Sequence, residues 1–208
     1  MDAFVNIGEN SDIGEYVILG KDPVSLEKTL IIRANCKIRS HSVIYRGNDI
    51  GSGFQTGHGV MIRENNLIGD NVSVGTHSVI ERENIIEDNV RIHSNCFIPE
   101  FVTIEERAWI GPSVTILNTL HPPCPGFSEC AKGIVIGKGA KIGGNVTIGP
   151  HVRIGENAVI GFGSVVTRSI PDNCVAYGNP ARAAKKKSEL KCVSGLRERP
   201  YDWEENDE

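Results

Sequence analysis

The sequence predicts an all-β fold, a parallel β-helix wound from short strands. Three observations predict it: an aliphatic residue recurs at every sixth position, a small residue follows four positions later, and glycine is frequent one position later. A period of six fits neither the 3.6-residue turn of an α-helix nor a long two-residue strand alternation. It fits short strands joined by turns, with one bulky and one small side chain per strand pointing inward.

The aliphatic residues, called markers below, are the clearest part of the repeat. From position 32 to 116, thirteen of the fifteen residues spaced six apart are isoleucine, and the register resumes from 136 to 166. Three units are expected to close one triangular coil, and stacked coils to hydrogen-bond at roughly 4.8 Å spacing. Glycine after the marker is expected to supply backbone angles that other residues avoid. Two breaks, at residues 20–31 and 117–135, interrupt the register.

The length of 208 residues suits one elongated repeat domain followed by a tail. We expect the β-helix to occupy residues 1–182, with an extended loop at 117–135 inserted in it. Residues 183–208 are expected to form a charged C-terminal helix and tail, in which 185–190 is the helical segment that covers the open end of a sheet.

Composition and charge exclude several classes of protein. A net charge of -4 with both signs mixed argues against a general nucleic-acid binder, which needs a strongly basic surface. No basic segment followed by an apolar one opens the chain, and no run approaches the roughly 20 apolar residues of a membrane span. We therefore expect a cytoplasmic protein without a membrane span.

The six cysteines do not predict a disulfide scaffold, because they are widely spread and no secretion signal precedes them. Cys36 and Cys96 occupy the small inward position, where packing explains them. Cys124 and Cys130 leave open either a disulfide or a metal site shared with His121. Their spacing is not a recognised zinc pattern, and we expect no metal.

The repeat units Ile-Gly-Gly-Asn-Val-Thr and Ile-Gly-Glu-Asn-Ala-Val closely resemble those of the hexapeptide-repeat acyltransferases. The segment 118–122, which reads Asn-Thr-Leu-His-Pro, is similar to segments of sugar acetyltransferases in that superfamily. The segments 161–168 and 178–182 are also similar to segments of these enzymes. These relatives include O-acetyltransferases of galactosides and maltose and N-acetyltransferases of nucleotide-linked amino sugars, and the resemblance covers roughly residues 5–182.

The resemblance implies a left-handed β-helix that works as a homotrimer, with active sites in clefts. It implies acetyl-coenzyme A as the acyl donor and a sugar or nucleotide-linked sugar as the acceptor, through a hydroxyl or an amino group. It also implies that Asn118 and Asn95 hold the sugar or orient a catalytic imidazole. The basic residues Arg168, Arg182 and Lys185 are then expected to receive the phosphates of coenzyme A.

Residue chemistry adds further candidate roles. His121 is the candidate general base, because an imidazole titrates near neutrality and this one lies in a proline-rich loop at a break of the repeat. Glycine-rich turns can present backbone N–H groups to a thioester carbonyl and to pantetheine amides. The candidates for that contact are Gly143, Gly144, Gly161 and the adjoining Ser164. The candidates for binding an anionic or nucleotide part of the acceptor are His58, Arg63 and Glu64.

Two other functions fit a β-helix. A γ-class carbonic anhydrase binds zinc through three histidines from adjacent subunits, and this sequence supplies His41, His77, His93 and His151. Against it, the sequence lacks the His-x4-His pair of that family and carries a Gly-x-Gly-Ser stretch typical of coenzyme A enzymes. A nonenzymatic β-helix scaffold is the other alternative, and it would need no protruding His-Pro loop.

Overall fold

The computed structural model describes residues 4–22, 28–123, 125–126, 131 and 133–201. Within them, short strands wind around three sheets, named here A, B and C. Sheet A contains β1 (Val5–Ile7), β4 (Leu30–Ile32), β7 (Asp49–Ile50), β10 (Leu67–Ile68), β13 (Ile85–Ile86), β16 (Thr103–Ile104), β19 (Val135–Ile136) and β22 (Arg153–Ile154). Sheet B contains β2 (Asp12–Ile13), β5 (Lys37–Ile38), β8 (Gln55–Thr56), β11 (Ser73–Val74), β14 (Arg91–Ile92), β17 (Trp109–Ile110), β20 (Lys141–Ile142), β23 (Val159–Ile160), β25 (Cys174–Gly178) and β26 (Ala181–Lys186). Sheet C contains β3 (Ile18–Lys21), β6 (Val43–Tyr45), β9 (Met61–Ile62), β12 (Val79–Ile80), β15 (Phe97–Ile98), β18 (Thr115–Ile116), β21 (Thr147–Ile148) and β24 (Val165–Val166).

The predicted repeat register is confirmed. Strands one coil apart pair in parallel, as where Ser73 lies opposite Arg91 and Val74 opposite Ile92. In each of these strands the marker side chain is buried inside the coil, and the residue before it faces outward. The aliphatic core is therefore one continuous column, and the predicted all-β parallel β-helix is the fold of the chain.

The glycines after the markers serve a different purpose from the predicted one. A Cβ on Gly75 would lie 2.3 Å from the backbone nitrogen of Ser94, so glycine is needed there because adjacent coils approach closely. The left-handed backbone angles fall instead three positions after the marker. Asparagine often occupies that turn position, as at Asn71, Asn89 and Asn95 with φ of 55°, 59° and 60°.

Both breaks of the repeat leave the helix at the same kind of corner. The turns from sheet B to sheet C are called the BC corner below, and those from sheet C to sheet A the CA corner. The first break joins β3 to β4 and the second joins β18 to β19, so both lie at the CA corner. Ile116 and Ile136 are twenty positions apart where a regular step is six, yet β19 still enters sheet A.

A buried ladder of asparagines lies inside the CA corner. Asn48, Asn66 and Asn84 occupy the small inward position on three successive coils and are at most 1% exposed. Asn66 donates from its backbone and side chain to Asn48 Oδ1, both at 2.9 Å, and its own Oδ1 accepts from the backbone of Asn84 at 2.9 Å. The ladder ends where Asn84 Oδ1 accepts from the backbone of Val102. Each amide thus replaces an apolar side chain with hydrogen bonds that tie neighbouring coils together.

The C-terminal end differs from the expected helix. Strand β26 pairs antiparallel with β25, and the predicted boundary between residues 182 and 183 falls inside it. The expected helix at 185–190 is reduced to a 3₁₀ turn at Lys187–Glu189. The reason is that the outer edge of β25 has free backbone groups, and a strand satisfies them where a helix cannot. Nowhere in the described ranges is there a helix long and apolar enough to cross a bilayer.

Candidate active site

The loop that carries His121 begins at the CA corner with Asn118. The Asn118 side chain is 9% exposed and donates from Nδ2 to Glu100 Oε2 at 2.8 Å. Its Oδ1 accepts from the hydroxyl of Thr119 at 3.2 Å. His121 follows on the exposed part of the loop. The first turn of the loop is therefore fixed to the coil below it, while the imidazole is open to solvent or to a ligand.

A set of ion pairs continues from Glu100 along the CA corner. Arg82 Nε lies 3.8 Å from Glu100 Oε1. On the preceding coils, Arg63 binds Glu64 through two hydrogen bonds of 2.9 and 3.1 Å and reaches Glu81 at 3.4 Å. The predicted acceptor-binding residues Arg63 and Glu64 are thus paired with each other. Their structural contacts account for them without a ligand.

Two glutamates of this set have shifted pKa values. Burial raises the pKa of Glu81 against the opposing charge of Arg63, and the charges of Glu100 and Glu64 add to the rise. Burial also tends to raise the pKa of Glu64, but its hydrogen bonds and charge interaction with Arg63 reverse the sign, so the pKa is lowered. The corner therefore stabilises the ionised form of Glu64 and destabilises that of Glu81, each relative to an ordinary glutamate.

Asn95 lies on the other side of sheet C, at the BC corner. It occupies an exposed left-handed turn, and its backbone N–H donates to Thr76 O at 2.9 Å. The BC corner also carries His58, whose Nδ1 is 2.8 Å from Ser40 Oγ. Within one chain, the structure brings Asn118 and His121 together but separates Asn95 from them. It likewise separates His58 from Arg63 and Glu64.

The predicted glycine turns border a large groove on sheet B. Gly143 and Gly161 line it together with Trp109, Phe162 and Tyr201, and its volume is about 740 Å³. Both glycines are also required by packing. A Cβ on Gly143 would lie 2.5 Å from the backbone nitrogen of Phe162, and one on Gly161 would lie 2.8 Å from the Cβ of Tyr177. A large apolar and aromatic groove with basic residues at its edge fits a pantetheine arm in size and character.

The other predicted coenzyme-binding residues differ in burial and position. The Ser164 side chain is 1% exposed, donates to Gly161 O at 2.6 Å and accepts from the backbone of Gly178 at 3.1 Å. It fastens the terminal hairpin to the last coil, so direct contact with a ligand through its hydroxyl is not what the structure shows. Gly144 lies beside Pro112 at the BC corner. The exposed basic residues are Arg168 after β24 and Arg182 and Lys185 on β26.

Sequence reasoning missed several residues of these two corners. Glu81, Arg82 and Glu100 complete the ion pairs around the loop base, and Trp109 lines the groove. A signal for the first three was present, since charges alternate in sign at a spacing of eighteen residues. One column reads Arg46, Glu64, Arg82, Glu100 and Asn118, and in the neighbouring column Glu81 follows Arg63.

Cysteines and candidate metal ligands take no part in this site as far as the structure describes them. Cys36 and Cys96 are buried, and burial raises the pKa of both thiols, which fits the predicted packing role. Cys124 and Cys130 lie outside the described residues. Among the described residues, no three histidine, cysteine or carboxylate side chains form a group suited to a metal ion. His93 instead packs against Trp109, with ring centroids 4.6 Å apart and ring planes tilted by 56°.

Comparison with known proteins is consistent with this geometry. Residues 133–168 match the family model described as the bacterial transferase hexapeptide, in six repeats. Over these residues the chain shares the hexapeptide repeat of that family model. No curated protein sequence matches this hexapeptide-repeat chain.

Solved structures share its fold. A Bacillus cereus protein described as an acetyltransferase is 24% identical, with a TM-score of 0.53, over 85% of this chain and 84% of the other. AntD, an N-acyltransferase from Bacillus cereus in complex with dTDP-4-amino-4,6-dideoxyglucose and coenzyme A, is 19% identical, with a TM-score of 0.59. That match covers 66% of this hexapeptide-repeat chain and 82% of AntD.

Proposed function

We propose that this protein transfers the acetyl group of acetyl-coenzyme A to a hydroxyl or amino group of a sugar or nucleotide-linked sugar, with His121 as general base. The observation that carries the proposal is the loop at the CA corner, where an exposed imidazole follows a turn anchored by Asn118 and Glu100. The repeat family model of bacterial transferases and the likeness to AntD, which binds coenzyme A and an amino sugar, support it.

The chemistry assigns one proton transfer to His121. The oxygen or nitrogen atom of the acceptor attacks the thioester carbonyl carbon while His121 takes its proton. The tetrahedral intermediate then expels the coenzyme A thiolate as the C–S bond breaks. The imidazolium then returns the proton to the sulfur. Asn118, held by Glu100, is placed to fix the loop or the acceptor, and a base of this kind contributes about 10²- to 10⁴-fold to the rate.

Coenzyme A fits the groove that contains Gly143, Gly161 and Trp109, because its walls are apolar and aromatic while Lys141 and Arg91 supply positive charge. We assign the acyl arm to this groove and the phosphates to the basic end of the helix. The residues of that end are Arg168, Arg182 and Lys185. The coenzyme supplies the activated acetyl group, and the chain supplies its binding, its orientation and the base.

A homotrimer would complete the site. Asn95 and the glycine groove lie towards the BC corner, His121 lies at the CA corner, and sheet C separates them within one chain. In each of the eight strands of sheet C the residue directly before the inward-facing marker faces outward, and none of these eight residues is charged: Ile18, Val43, Met61, Val79, Phe97, Thr115, Thr147 and Val165. Met61 and Phe97 are each 37% exposed. We propose that this face packs against a second copy, so that the BC corner of one protomer faces the CA corner of the next.

The other functions have less support. His93 is engaged with Trp109, and the family model names transferases, so no observation favours the zinc hydratase. A nonenzymatic scaffold leaves the anchored His121 loop without a purpose.

Thiol release from acetyl-coenzyme A tests the proposal, using nucleotide-linked amino sugars, simple glycosides and serine as acceptors. The His121→Asn variant is compared with His151→Asn, which changes an exposed histidine in a left-handed turn that asparagine also adopts. We expect turnover on a sugar acceptor that falls at least about a hundredfold in His121→Asn and stays near wild type in His151→Asn. Full activity of a folded His121→Asn protein would refute the assigned base. Absence of turnover and of acetyl-coenzyme A binding would refute the transferase.

A further inference from the structure

A second groove runs along sheet B beside the BC corner, on the N-terminal side of the coenzyme groove. Its volume is about 350 Å³. Its floor is formed by Gly57 and Gly75, which have no side chains to fill it, and Arg39 and His93 stand at its two ends in the same column. They are three coils apart, which is roughly 14 Å at the usual strand spacing.

Most polar side chains around this groove can donate hydrogen bonds, and two of them carry a positive charge. Arg91 stands on one wall and His58 on the other, and hydroxyl groups fill the positions between them. No carboxylate lies among the residues that line it. The lining hydroxyls that face the groove belong to Ser73, Thr76 and Ser94, whereas the Thr56 side chain is buried inside the coil and its Oγ1 accepts from the backbone of Arg39.

The two arginines differ from the others on the β-helix. Of the eight arginines between residues 33 and 153, six form ion pairs with a carboxylate. Arg39 and Arg91 form none with any residue that the structure describes. Arg39 makes a 3.3 Å hydrogen bond from Nη1 to the backbone oxygen of Thr56, which leaves its charge uncompensated. Two uncompensated guanidinium groups therefore share one groove.

This arrangement has the chemistry of an oxyanion site. Guanidinium groups bind phosphate through paired charge-assisted hydrogen bonds, and imidazole and hydroxyl groups add further donors. A sugar without an anionic group would leave both arginines unmatched. A site of this length has room for more than one phosphate.

We propose that this groove binds the phosphate groups of a substrate. The proposal rests on the transferase function for the identity of its ligand. That ligand is either the diphosphate of a nucleotide-linked acceptor or the phosphates of coenzyme A, and the second outcome would replace their assignment to the basic end of the helix. Because the groove adjoins Trp109 through Arg91 and His93, the bound phosphates lie near the groove assigned to the acyl arm.

Calorimetric titration with inorganic pyrophosphate, uridine diphosphate and coenzyme A tests the groove without requiring turnover. Arg39→Met and Arg91→Met remove charge and keep most of the side-chain volume, and Arg153→Met is the matched control because Arg153 is paired with Glu105 on sheet A. We expect pyrophosphate binding that weakens about tenfold or more in each groove variant and is unchanged in the control.

The sequence contains two tryptophans, Trp109 and Trp203, of which the second lies outside the described residues. In a Trp203→Phe background, pyrophosphate is expected to change the fluorescence of Trp109, since the His93 ring packs against it.

Competition identifies the source of the phosphates. Displacement of pyrophosphate by uridine diphosphate and not by coenzyme A assigns the groove to the acceptor, and displacement by coenzyme A assigns it to the donor. If none of the three anions binds, or if both groove variants bind them as well as wild type does, the proposal is wrong. Anion binding that depends on Arg39 and Arg91 in a protein without transferase activity would refute the proposed function and leave the groove intact.

Discussion

The CA and BC corners flank the same sheet, and both are rich in charged and polar groups, but they use them differently. At the CA corner, Arg63 and Arg82 are each paired with glutamates, and the pairs lead coil by coil to the base of the His121 loop. Beside the BC corner, Arg39 and Arg91 have no carboxylate partner among the described residues, and they face a groove floored by glycine. Paired charges at one corner position a loop, whereas uncompensated charges near the other are available to a ligand.

This comparison also explains why one chain holds only part of the proposed site. His121 and the two arginines of the groove lie on opposite sides of sheet C, and the outward residues that precede the markers of that sheet are uncharged. Joining two copies through sheet C would place unlike corners against each other. We therefore expect the largest effect from a change in the sheet C interface. A change in the buried asparagine ladder of the CA corner should have a smaller effect, and changes in the charged residues of that corner the smallest.

The largest effect is expected from Phe97→Glu, which places a charge in the middle of the apolar face of sheet C. Desolvation of that carboxylate opposes association, so the proposed homotrimer should dissociate and the proposed activity should fall at least about a hundredfold. Light scattering coupled to size-exclusion chromatography measures the mass. Leu67→Glu is the control, because Leu67 is 54% exposed on sheet A. A Phe97→Glu protein that keeps both its mass and its activity would contradict the proposed interface.

An intermediate effect is expected from Asn66→Ala in the asparagine ladder. The change removes one of the two donors to Asn48 Oδ1, one of the two donors to Arg63 O, and the side-chain acceptor of the buried backbone N–H of Asn84. We expect a loss of about 2–4 kcal/mol in the free energy of unfolding, measured by urea titration at fixed protein concentration. Asn6→Ala, on the exposed side of β1, should change it by less than about 0.5 kcal/mol. Equal losses in the two variants would mean that the ladder contributes little.

The smallest effect concerns the two glutamates with opposite pKa shifts. The pKa of Glu64 is lowered, so its contribution to stability is present above the usual value of 4.5 and is lost as the pH falls through its lowered pKa. The pKa of Glu81 is raised, so its contribution is complete below 4.5 and is lost as the pH rises through its raised pKa.

At pH 7, Glu64→Gln should therefore destabilise the protein, and Glu81→Gln should leave it unchanged or more stable, each by less than about 1 kcal/mol. At about pH 3 both differences should shrink, because the carboxyl groups approach their neutral forms. Urea titrations at the two pH values compare the variants. Destabilisation by Glu81→Gln at pH 7 as large as that by Glu64→Gln would contradict the difference between the two groups.

The fold could be predicted from the sequence because the period of six is marked by one residue type, isoleucine, at nearly every repeat. An isoleucine at a marker position implies burial and a short strand whatever its neighbours are, and the three sheets follow from stacking such units. The terminal hairpin was not predicted, because 185–190 has the composition of a charged helix and only the free edge of β25 favours a strand there.

The site was harder to predict for two reasons. Its contacts join residues that are one coil apart in sequence, and its candidate residues are distributed over different faces of the helix. His121 was recognisable from the proline-rich break, but its support by Glu100 depends on a spacing of eighteen. The sequence alone could not show whether Arg63 binds a ligand or pairs with a glutamate of the chain, since an arginine beside a glutamate is compatible with both. Arg39 and Arg91 were missed for the converse reason, because a missing partner becomes visible only when all nearby carboxylates have been placed.

Both long breaks of the repeat leave and re-enter the helix without changing which face comes next, so the rotational phase of the chain is preserved across them. A deletion of six residues within the regular coils would lack this property and would turn every later strand by one side of the triangle. The uncharged stripe would then continue on another side, and the hairpin would cap the wrong sheet. Deletion of eighteen residues would only shorten the column. We therefore expect natural length variation within the coils to occur in whole turns, and variation of arbitrary length to be confined to the CA corner.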